Sequence, residues 1–204
     1  MMEVQRLGRV AYADALALQL RLVEDRHSGR IADQLLLLEH DEVLTVGRRK
    51  PGPPLTEGSS DLPIFPVSRG GEMTWHGPGQ LVGYWIRALV GPERDLHRHL
   101  HLIEEALLRA LAPLGVSGRR EPGKTGVWVG PRKIASIGVA VRNWVTYHGF
   151  ALNLSVDSRV WQGFRPCGLE GAVMTDLRSV LGREIDPEGL VPGLINSFRT
   201  VSPS

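Results

Sequence analysis

The sequence predicts an α+β fold with a mainly antiparallel sheet flanked by helices. Helical patterns of apolar residues stand among many short apolar runs of strand length. Most neighbouring runs are joined by short turns rich in glycine, proline or asparagine, which favours hairpins over the long crossovers of repeated βαβ units. The 204 residues show no internal repeat and no linker, so we expect one domain over residues 1–204.

Helices are predicted where apolar residues recur every three or four positions. The first spans residues 11–27, with Tyr12, Leu16, Leu20 and Val23 in its apolar stripe. The second begins at Asp95, whose side chain can accept from the free N–H groups of the first turn, and it runs to about Leu111. A last helix starts at Pro187, since proline is tolerated in the first turn. Strands are predicted at residues 35–38, 43–46, 64–67, 81–89, 126–129, 134–141 and 144–154.

Composition and charge are those of an ordinary globular protein. The chain is 42% hydrophobic and 23% charged, and its formal net charge of +2 gives no indication of nucleic-acid binding. No apolar run is long enough to cross a bilayer, so no membrane association is expected. Glu3, Arg6, Arg9 and Asp14 lie around the start of the first predicted helix, and this charged stretch lacks the apolar region of a signal peptide. These observations predict a cytoplasmic protein.

The single cysteine is a candidate nucleophile. One cysteine excludes an internal disulfide and a cysteine-based zinc site. Cys167 stands between Pro166 and Gly168 in a segment without periodicity, whereas buried structural thiols are usual in periodic apolar segments. A reactive thiolate needs a cationic or basic neighbour. Lys133 opens a predicted strand and is one of three lysines among 24 basic residues, and unlike arginine a lysine can exchange its proton. A solvated, idle lysine at a hairpin turn remains the alternative.

Residues 69–80 form the most unusual stretch of the chain. Glycines alternate there with arginine, threonine, tryptophan, histidine and glutamine, so the backbone can approach a ligand closely. The stretch has neither the phosphate-binding Gly-x4-Gly-Lys-Ser/Thr pattern nor the dinucleotide Gly-x-Gly-x-x-Gly pattern. We therefore interpret it as the wall of a pocket. His148, before a glycine at a strand end, is either a second pocket residue or a strand histidine with satisfied hydrogen bonds.

Histidines of the second predicted helix do not predict a metal site. His97 and His101 share one helix face, but His99 does not. The pair lies beside Glu104 and Glu105, which are expected on the solvent side of the helix. A solvated face explains the cluster, and no metal is predicted.

Three blocks of sequence together carry a resemblance to a known family. The first is Arg-Gly-Gly-Glu-Met-Thr-Trp-His-Gly-Pro-Gly-Gln at residues 69–80. The second is Gly-Val-Trp-Val at 126–129 with Lys-Ile-Ala-Ser-Ile-Gly at 133–138. The third is His-Gly-Phe-Ala-Leu-Asn at 148–153 with Pro-Cys-Gly at 166–168. With these three blocks in this order, the chain resembles the lipoyl(octanoyl) transferase family.

The resemblance implies a fold, a reaction and a set of site residues. The fold would be that of biotin and lipoate protein ligases, with residues 1–204 forming a single octanoyltransferase catalytic domain. Octanoyl-acyl carrier protein would be the donor, and a lysine on lipoyl domains of 2-oxoacid dehydrogenases or on the glycine cleavage H protein the acceptor. Cys167 would carry the acyl group as a thioester, Lys133 would lower the pKa of that thiol, and no cofactor would be needed. The implied substrate-binding residues are Arg69, Gly70, Gly71, Glu72, Met73, Thr74, Trp75, His76, Ser136, Ile137, Gly138, Gly149, Phe150 and Ala151.

One departure from the family pattern and three alternative functions bear on this interpretation. Trp75 stands where the family commonly has tyrosine, which changes the expected pocket wall without touching Cys167 or Lys133. An ATP-dependent lipoate or biotin ligase of the same fold would need the lysine but no cysteine. A binding module for carrier or lipoyl domains would tolerate loss of Cys167. A cysteine hydrolase would pair the thiol with a histidine such as His76 or His148.

Overall fold

The computed structural model describes residues 2–49, 61–161 and 173–202, which form strands and helices in an α+β arrangement. Short 3₁₀ turns connect several of these elements. The elements are, in chain order, β1 Glu3–Arg9, α1 Tyr12–His27, β2 Gln34–Glu39, β3 Val43–Val46, β4 Ile64–Pro66, β5 Met73–His76, β6 Gln80–Ala88, α2 Leu96–Leu111, β7 Gly118–Glu121, β8 Lys124–Val129, β9 Arg132–Arg142, β10 Val145–Asn153, α3 Leu177–Leu181 and α4 Pro187–Val201.

The strands form one large and one small sheet. The seven-stranded sheet has the order β1-β2-β6-β10-β9-β8-β7, and the three-stranded sheet has the order β4-β3-β5. In the large sheet β1 and β2 are parallel and every other neighbouring pair is antiparallel. In the small sheet β3 runs parallel to β4 and antiparallel to β5. The predicted α+β class with a mainly antiparallel sheet is thus confirmed.

Helices cover both faces of the large sheet, which explains the unbroken apolar runs of its central strands. Leu35 and Leu37 of β2 join a core cluster with α2 and α4, whereas Leu36 and Leu38 join a second cluster under α1. Successive side chains of a strand point to opposite faces, so a strand that is buried on both faces must be apolar at every position.

The helix boundaries agree with the sequence, and the predicted stripe of α1 is confirmed at Tyr12 and Val23 but not at Leu16 and Leu20. Asp95 caps α2 by accepting hydrogen bonds from the N–H groups of His97 and Arg98 at 2.8 and 3.1 Å. On α1, Leu16 and Leu20 are only half-buried. The face turned to the sheet is Tyr12, Ala15, Gln19, Leu22 and Val23.

The first strand, β1, was not predicted from the sequence. Glu3, Arg6 and Arg9 belong to strand β1, which pairs in parallel with β2. β1 lies at the edge of the sheet and half of its side chains face solvent, so its polar residues mask the alternation by which a strand is recognised. Pairing with β2, which is remote in sequence, decides its conformation.

Candidate active site

The glycine-rich stretch begins with a loop that Arg69 holds in place. One guanidinium nitrogen donates to the carbonyl oxygens of Gly70 and Glu72, at 3.0 and 2.8 Å. The other donates to the carbonyl and the hydroxyl of Thr45 on β3, at 2.9 and 2.7 Å. Arg69 is 7% exposed. It therefore fastens the loop to the small sheet and places a buried positive charge at the site.

Glycines let this loop lie directly on strand β9. The N–H of Gly70 donates to the carbonyl of Val139 at 3.0 Å. A β-carbon at Gly138 would come within 3.1 Å of the Arg69 side chain and 3.2 Å of the Gly70 carbonyl oxygen. Glycine leaves the room for this close approach, since a β-carbon would require the loop or the strand to move by a few tenths of an ångström.

A cavity lies between the loop, the middle of β9 and β10, strand β5 and the start of α1. Its empty volume is about 450 Å³, including the part open to solvent. The lining residues are Tyr12, Arg69, Gly70, Gly71, Thr74, His76, Tyr84, Ser136, Ile137, Gly138, His148, Gly149, Phe150 and Ala151.

The structure brings eleven of the fourteen expected substrate-binding residues to this cavity and leaves out Glu72, Met73 and Trp75. On β5 the side chains alternate, so Thr74 and His76 face the cavity while Met73 and Trp75 join a separate core cluster. The expectation that Trp75 shapes the pocket wall is corrected accordingly. Its ring packs against Trp161 with a centroid distance of 5.6 Å.

Sequence reasoning did not include three lining residues: Tyr12, Tyr84 and His148. Tyr12 was assigned to the apolar stripe of a helix and Tyr84 to a central strand. Their hydroxyls are polar atoms in otherwise core positions, and that is the signal that could have marked them. His148 was left open between pocket and structural roles, and the structure places it at the cavity.

The imidazoles around the cavity are neutral. Burial, with smaller contributions from the neighbouring His40 and Arg69, lowers the pKa of His76 to about 3. Burial, with a smaller contribution from Arg69, likewise lowers the pKa of His148 to about 3. The desolvation that lowers the pKa of His40 is opposed by its hydrogen bond to the Val10 carbonyl. A histidine that stays neutral to such low pH is a weak base, which disfavours it as the group that ionises a thiol.

His148 has an unusual backbone conformation inside a regular strand. Its φ is 59°, in the left-handed region that non-glycine residues rarely adopt. The side chain of Gln19 on α1, itself fully buried, accepts from the His148 N–H at 2.8 Å. Strained residues of this kind are frequent at functional sites.

Lys133 is buried near the start of β9, with only 4% of its surface exposed. Its ammonium nitrogen lies 5.8 Å from the centroid of the Trp128 ring on β8. A β-carbon at Gly126 would come within 2.5 Å of the lysine Cε, so glycine makes the space for this side chain. Among residues 2–49, 61–161 and 173–202, no carboxylate forms an ion pair with Lys133. The alternative of a solvated lysine at a turn is wrong.

Helix α2 supports the strand on which Lys133 packs. Glu104 accepts from the N–H of Gly126 at 3.0 Å and forms an ion pair with Arg120 at 3.2 Å. Glu104 is 4% exposed, so its expected position on the solvent side of α2 is corrected. His101 is exposed and pairs with Glu104, which agrees with the solvated interpretation of that histidine. The described part of the chain holds no group of three or more potential metal ligands.

Cys167 lies outside the described residues, in the segment of residues 162–172, and the described residues on either side of this segment contact β5 and β9. Before the gap, Trp161 packs on Trp75. After it, Met174 joins the same core cluster and pairs with Lys133 as an isolated parallel bridge. The N–H of Thr175 donates to the Lys133 carbonyl at 3.0 Å. Met174 and Thr175 thus lie beside the main chain of Lys133.

Comparison with known proteins decides the family. A family model described as the lipoyl protein ligase A/B catalytic domain matches residues 11–199. The chain belongs to this family. An octanoyltransferase of Geobacter sulfurreducens is 48% identical over 184 residues, covering 90% of this chain and 77% of the relative. Relatives of that name support an acyltransferase that acts in the modification of lipoyl proteins.

Solved structures of lipoyl and biotin protein ligases share the fold. A putative lipoate protein ligase from T. acidophilum with bound lipoic acid superposes with a TM-score of 0.74 at 15% identity, covering 98% of this chain and 85% of that one. A biotin protein ligase from Aquifex aeolicus gives 0.55 at 10% identity, covering 98% and 68%. The expected likeness to lipoate and biotin ligases is confirmed for the fold. Within the described residues, no helix is long and apolar enough to span a membrane.

Proposed function

We propose that this member of the lipoyl protein ligase A/B family transfers an octanoyl group from octanoyl-acyl carrier protein to a lysine of lipoyl domains, through a thioester on Cys167. The acceptors would be the lipoyl domains of 2-oxoacid dehydrogenases and the glycine cleavage H protein. The observation that carries the proposal is the buried Lys133, on the same strand as the cavity wall formed by Ser136, Ile137 and Gly138. Ser136 lies three residues beyond Lys133, a distance of about 10 Å along β9. This distance is close to the length of an extended eight-carbon acyl chain.

The reaction divides into two acyl exchanges. In the first, the Cys167 thiolate attacks the octanoyl thioester, a new C–S bond forms and the carrier thiol leaves with a proton. Lys133 takes the proton from Cys167 before the attack and returns it to the leaving thiolate. In the second, the acceptor amine attacks the acyl-enzyme, a C–N bond forms, the C–S bond breaks, and Lys133 transfers the amine proton to the departing Cys167.

The energetics require no nucleotide. Exchange of one thioester for another makes and breaks the same type of bond, so its free-energy change is small. Replacement of a thioester by an amide lowers the free energy, because an amide is more stable than a thioester. This agrees with the absence of a phosphate-binding pattern from the sequence. An ATP-dependent ligase would instead activate free octanoate and would not depend on Cys167.

The cavity suits an acyl chain, and the buried Arg69 guanidinium beside it is already hydrogen-bonded to backbone carbonyls and to the Thr45 hydroxyl. Ile137, Phe150, Ala151 and the backbone at Gly138 and Gly149 supply an apolar wall. The nearby imidazoles are neutral at physiological pH because burial lowers the pKa of His76 and His148 to about 3. Burial of an acyl chain there would contribute about 0.8 kcal/mol per methylene.

Intact-protein mass spectrometry tests the covalent route. Wild-type protein and Cys167→Ser are mixed with octanoyl-acyl carrier protein, and a lipoyl domain is added afterwards. An octanoyl adduct on the wild type alone, discharged onto the lipoyl domain, is the expected result. Transfer without any adduct, or with full rate in Cys167→Ser, would remove the thioester mechanism.

Three further experiments test the role of Lys133 and distinguish the transferase from a ligase and from a hydrolase. Lys133→Ala should leave the protein folded but prevent adduct formation near neutral pH, and full-rate acylation would refute its role in proton transfer. Modification of the lipoyl domain that requires ATP and free octanoate would indicate a ligase. Rapid release of free octanoate without an acceptor would indicate a hydrolase.

A further inference from the structure

A chain of four buried hydrogen bonds joins the cavity residue His76 to the main chain of Lys133. The Nδ1 atom of His76 lies 2.8 Å from the side-chain oxygen of Gln80. The side-chain nitrogen of Gln80 donates to the side-chain oxygen of Asn153 at 2.9 Å. The nitrogen of Asn153 donates to the Thr175 carbonyl at 2.9 Å, and the Thr175 N–H donates to the Lys133 carbonyl at 3.0 Å. We call Gln80 and Asn153 the amide relay.

The Thr175 carbonyl sets the direction of this relay. A carbonyl oxygen can only accept, so Asn153 must turn its NH₂ group towards Thr175 and its oxygen towards Gln80. Gln80 must then donate to Asn153 and present its own oxygen to His76. That oxygen can only accept, so Nδ1 of His76 carries the proton. The neutral imidazole is therefore the Nδ1–H tautomer, and its Nε2 is a hydrogen-bond acceptor.

The relay occupies positions at which apolar residues would be expected. Gln80 and Asn153 face each other across β6 and β10 and are 2% and 1% exposed. Two buried amides stabilise a fold less dependably than a well-packed apolar pair, and each becomes costly when it loses a partner. A buried polar pair with all of its hydrogen bonds made restricts where its bonding partners can lie, because only one arrangement of those partners satisfies every hydrogen bond.

The constrained partners lie on both sides of the site. At one end is His76, which lines the cavity. At the other is the segment of Met174 and Thr175, held between Asn153 and Lys133 by the bridge of Met174 and the two main-chain hydrogen bonds of Thr175. Displacement of the relay would thus move the cavity wall and the Lys133 strand relative to one another.

We propose that Gln80 and Asn153 are positioning residues for acyl transfer, which hold His76 in its Nδ1–H tautomer and set the Lys133 main chain relative to the cavity. The inference rests on the proposed function for its kinetic part, while the tautomer of His76 is a property of the protein without substrate. Neither relay residue contacts the reacting atoms in this proposal.

The test compares Asn153→Leu with Thr146→Val. Leucine has the shape of asparagine but no hydrogen bonds. Thr146 is a matched control, because it is also a fully buried hydrogen-bonding residue of β10 and lies at the other end of the strand, where its hydroxyl donates to the Trp85 carbonyl at 2.9 Å. Asn153→Asp, which keeps the shape and can still accept from Gln80, serves if the leucine variant does not fold.

Two measurements are made on each variant. Long-range ¹H–¹⁵N spectra of the imidazoles, with His76 identified by a His76→Gln variant, report the tautomer. Single-turnover acylation by octanoyl-acyl carrier protein reports the maximal rate and the donor concentration for half-maximal rate. We expect pure Nδ1–H His76 in wild type and Thr146→Val, and a mixed tautomer in Asn153→Leu. The maximal acylation rate of Asn153→Leu should fall about 10²-fold with an unchanged half-saturating concentration.

The outcomes separate the two proposals. An Nε2–H imidazole at His76 in the wild type overturns the relay. Normal acylation by Asn153→Leu, or an equal loss of rate in Thr146→Val, overturns the positioning role. If the wild type forms no acyl-enzyme although His76 is the Nδ1–H tautomer, the proposed function fails and the positioning role fails with it, while the direction of the relay stands.

Discussion

Acidification from pH 7.5 to pH 5.5 should destabilise this protein strongly, because three of its histidines are buried as neutral rings. Burial lowers the pKa of His76, His99 and His148 from 6.5 to about 3. In the unfolded chain the same rings protonate near pH 6.5. The unfolded state therefore binds more protons between pH 6.5 and pH 3, so the free energy of unfolding decreases as the pH falls through that range.

The magnitude follows from the size of the shift. At pH 5.5, one unit below the unfolded pKa, each ring lowers the free energy of unfolding by about 1.4 kcal/mol, or about 4 kcal/mol for the three. The total free energy of unfolding of a typical domain is only about 5–15 kcal/mol. Carboxyl groups with ordinary pKa values near 4 contribute little in this window, so the change reports mainly histidine.

His99 provides the sharpest test, because it lies outside the cavity. It packs on Trp85 with a centroid distance of 4.9 Å, and both of its ring nitrogens lack a hydrogen-bond partner within the described structure. His99→Leu should therefore be as stable as wild type at pH 7.5 or more so. It should lose about 1.4 kcal/mol less than wild type on going to pH 5.5.

Urea unfolding followed by circular dichroism at the two pH values measures these differences. His27→Gln, at the exposed end of α1, is the control that should retain the wild-type dependence on pH. Equal stability of the wild type at pH 5.5 and 7.5 would refute the reasoning. An unchanged pH dependence in His99→Leu would show that this ring is not buried as a neutral group.

Three further predictions concern proton transfer, packing and capping. Lys133→Arg should form no acyl-enzyme near pH 7, since guanidinium does not release its proton, and a wild-type adduct in the mass spectrum would contradict this. Gly149→Ala should lower the free energy of unfolding by about 1–3 kcal/mol, because the methyl group would overlap the Gly83 carbonyl oxygen. Gly193→Ala, on an open face of α4, should instead raise it by about 1 kcal/mol, and urea unfolding that ranks the two variants the other way would be decisive against the packing argument. Asp95→Ala removes the N-cap of α2 and should lower the free energy of unfolding by about 1 kcal/mol while leaving acyl transfer unchanged. Urea unfolding measures the first quantity and a single-turnover assay the second.

Local patterns predicted most elements because their causes are local. Asp95 and Pro187 mark the starts of α2 and α4 in the sequence and in the structure. The hairpin of β8 and β9 follows from the turn at Gly130, which has a φ of 53°. Strands β1, β5 and β7 and helix α3 were not predicted. β1 and β5 pair with β2 and β3, which are distant in sequence. β7 and α3 have only four and five residues, too few to show a periodic pattern.

The site was predictable as a set of residue types but not as an arrangement. The stretch of residues 69–80 identified a pocket wall, yet only the pleat of β5 separates Thr74 and His76 from Met73 and Trp75. A one-residue shift of that strand would exchange the two sets, and the register is decided by pairing with β3.

Composition, periodicity and motif order along the chain are enough to predict the α+β class, the family and the residues proposed for acyl transfer. Only the tertiary structure decided that Lys133 is buried, that Glu104 faces inward and that His76 is linked through Gln80 and Asn153 to the main chain beside Lys133. Burial and hydrogen-bond direction are properties of segments that meet in space. The sequence of any one segment contains no record of its partners.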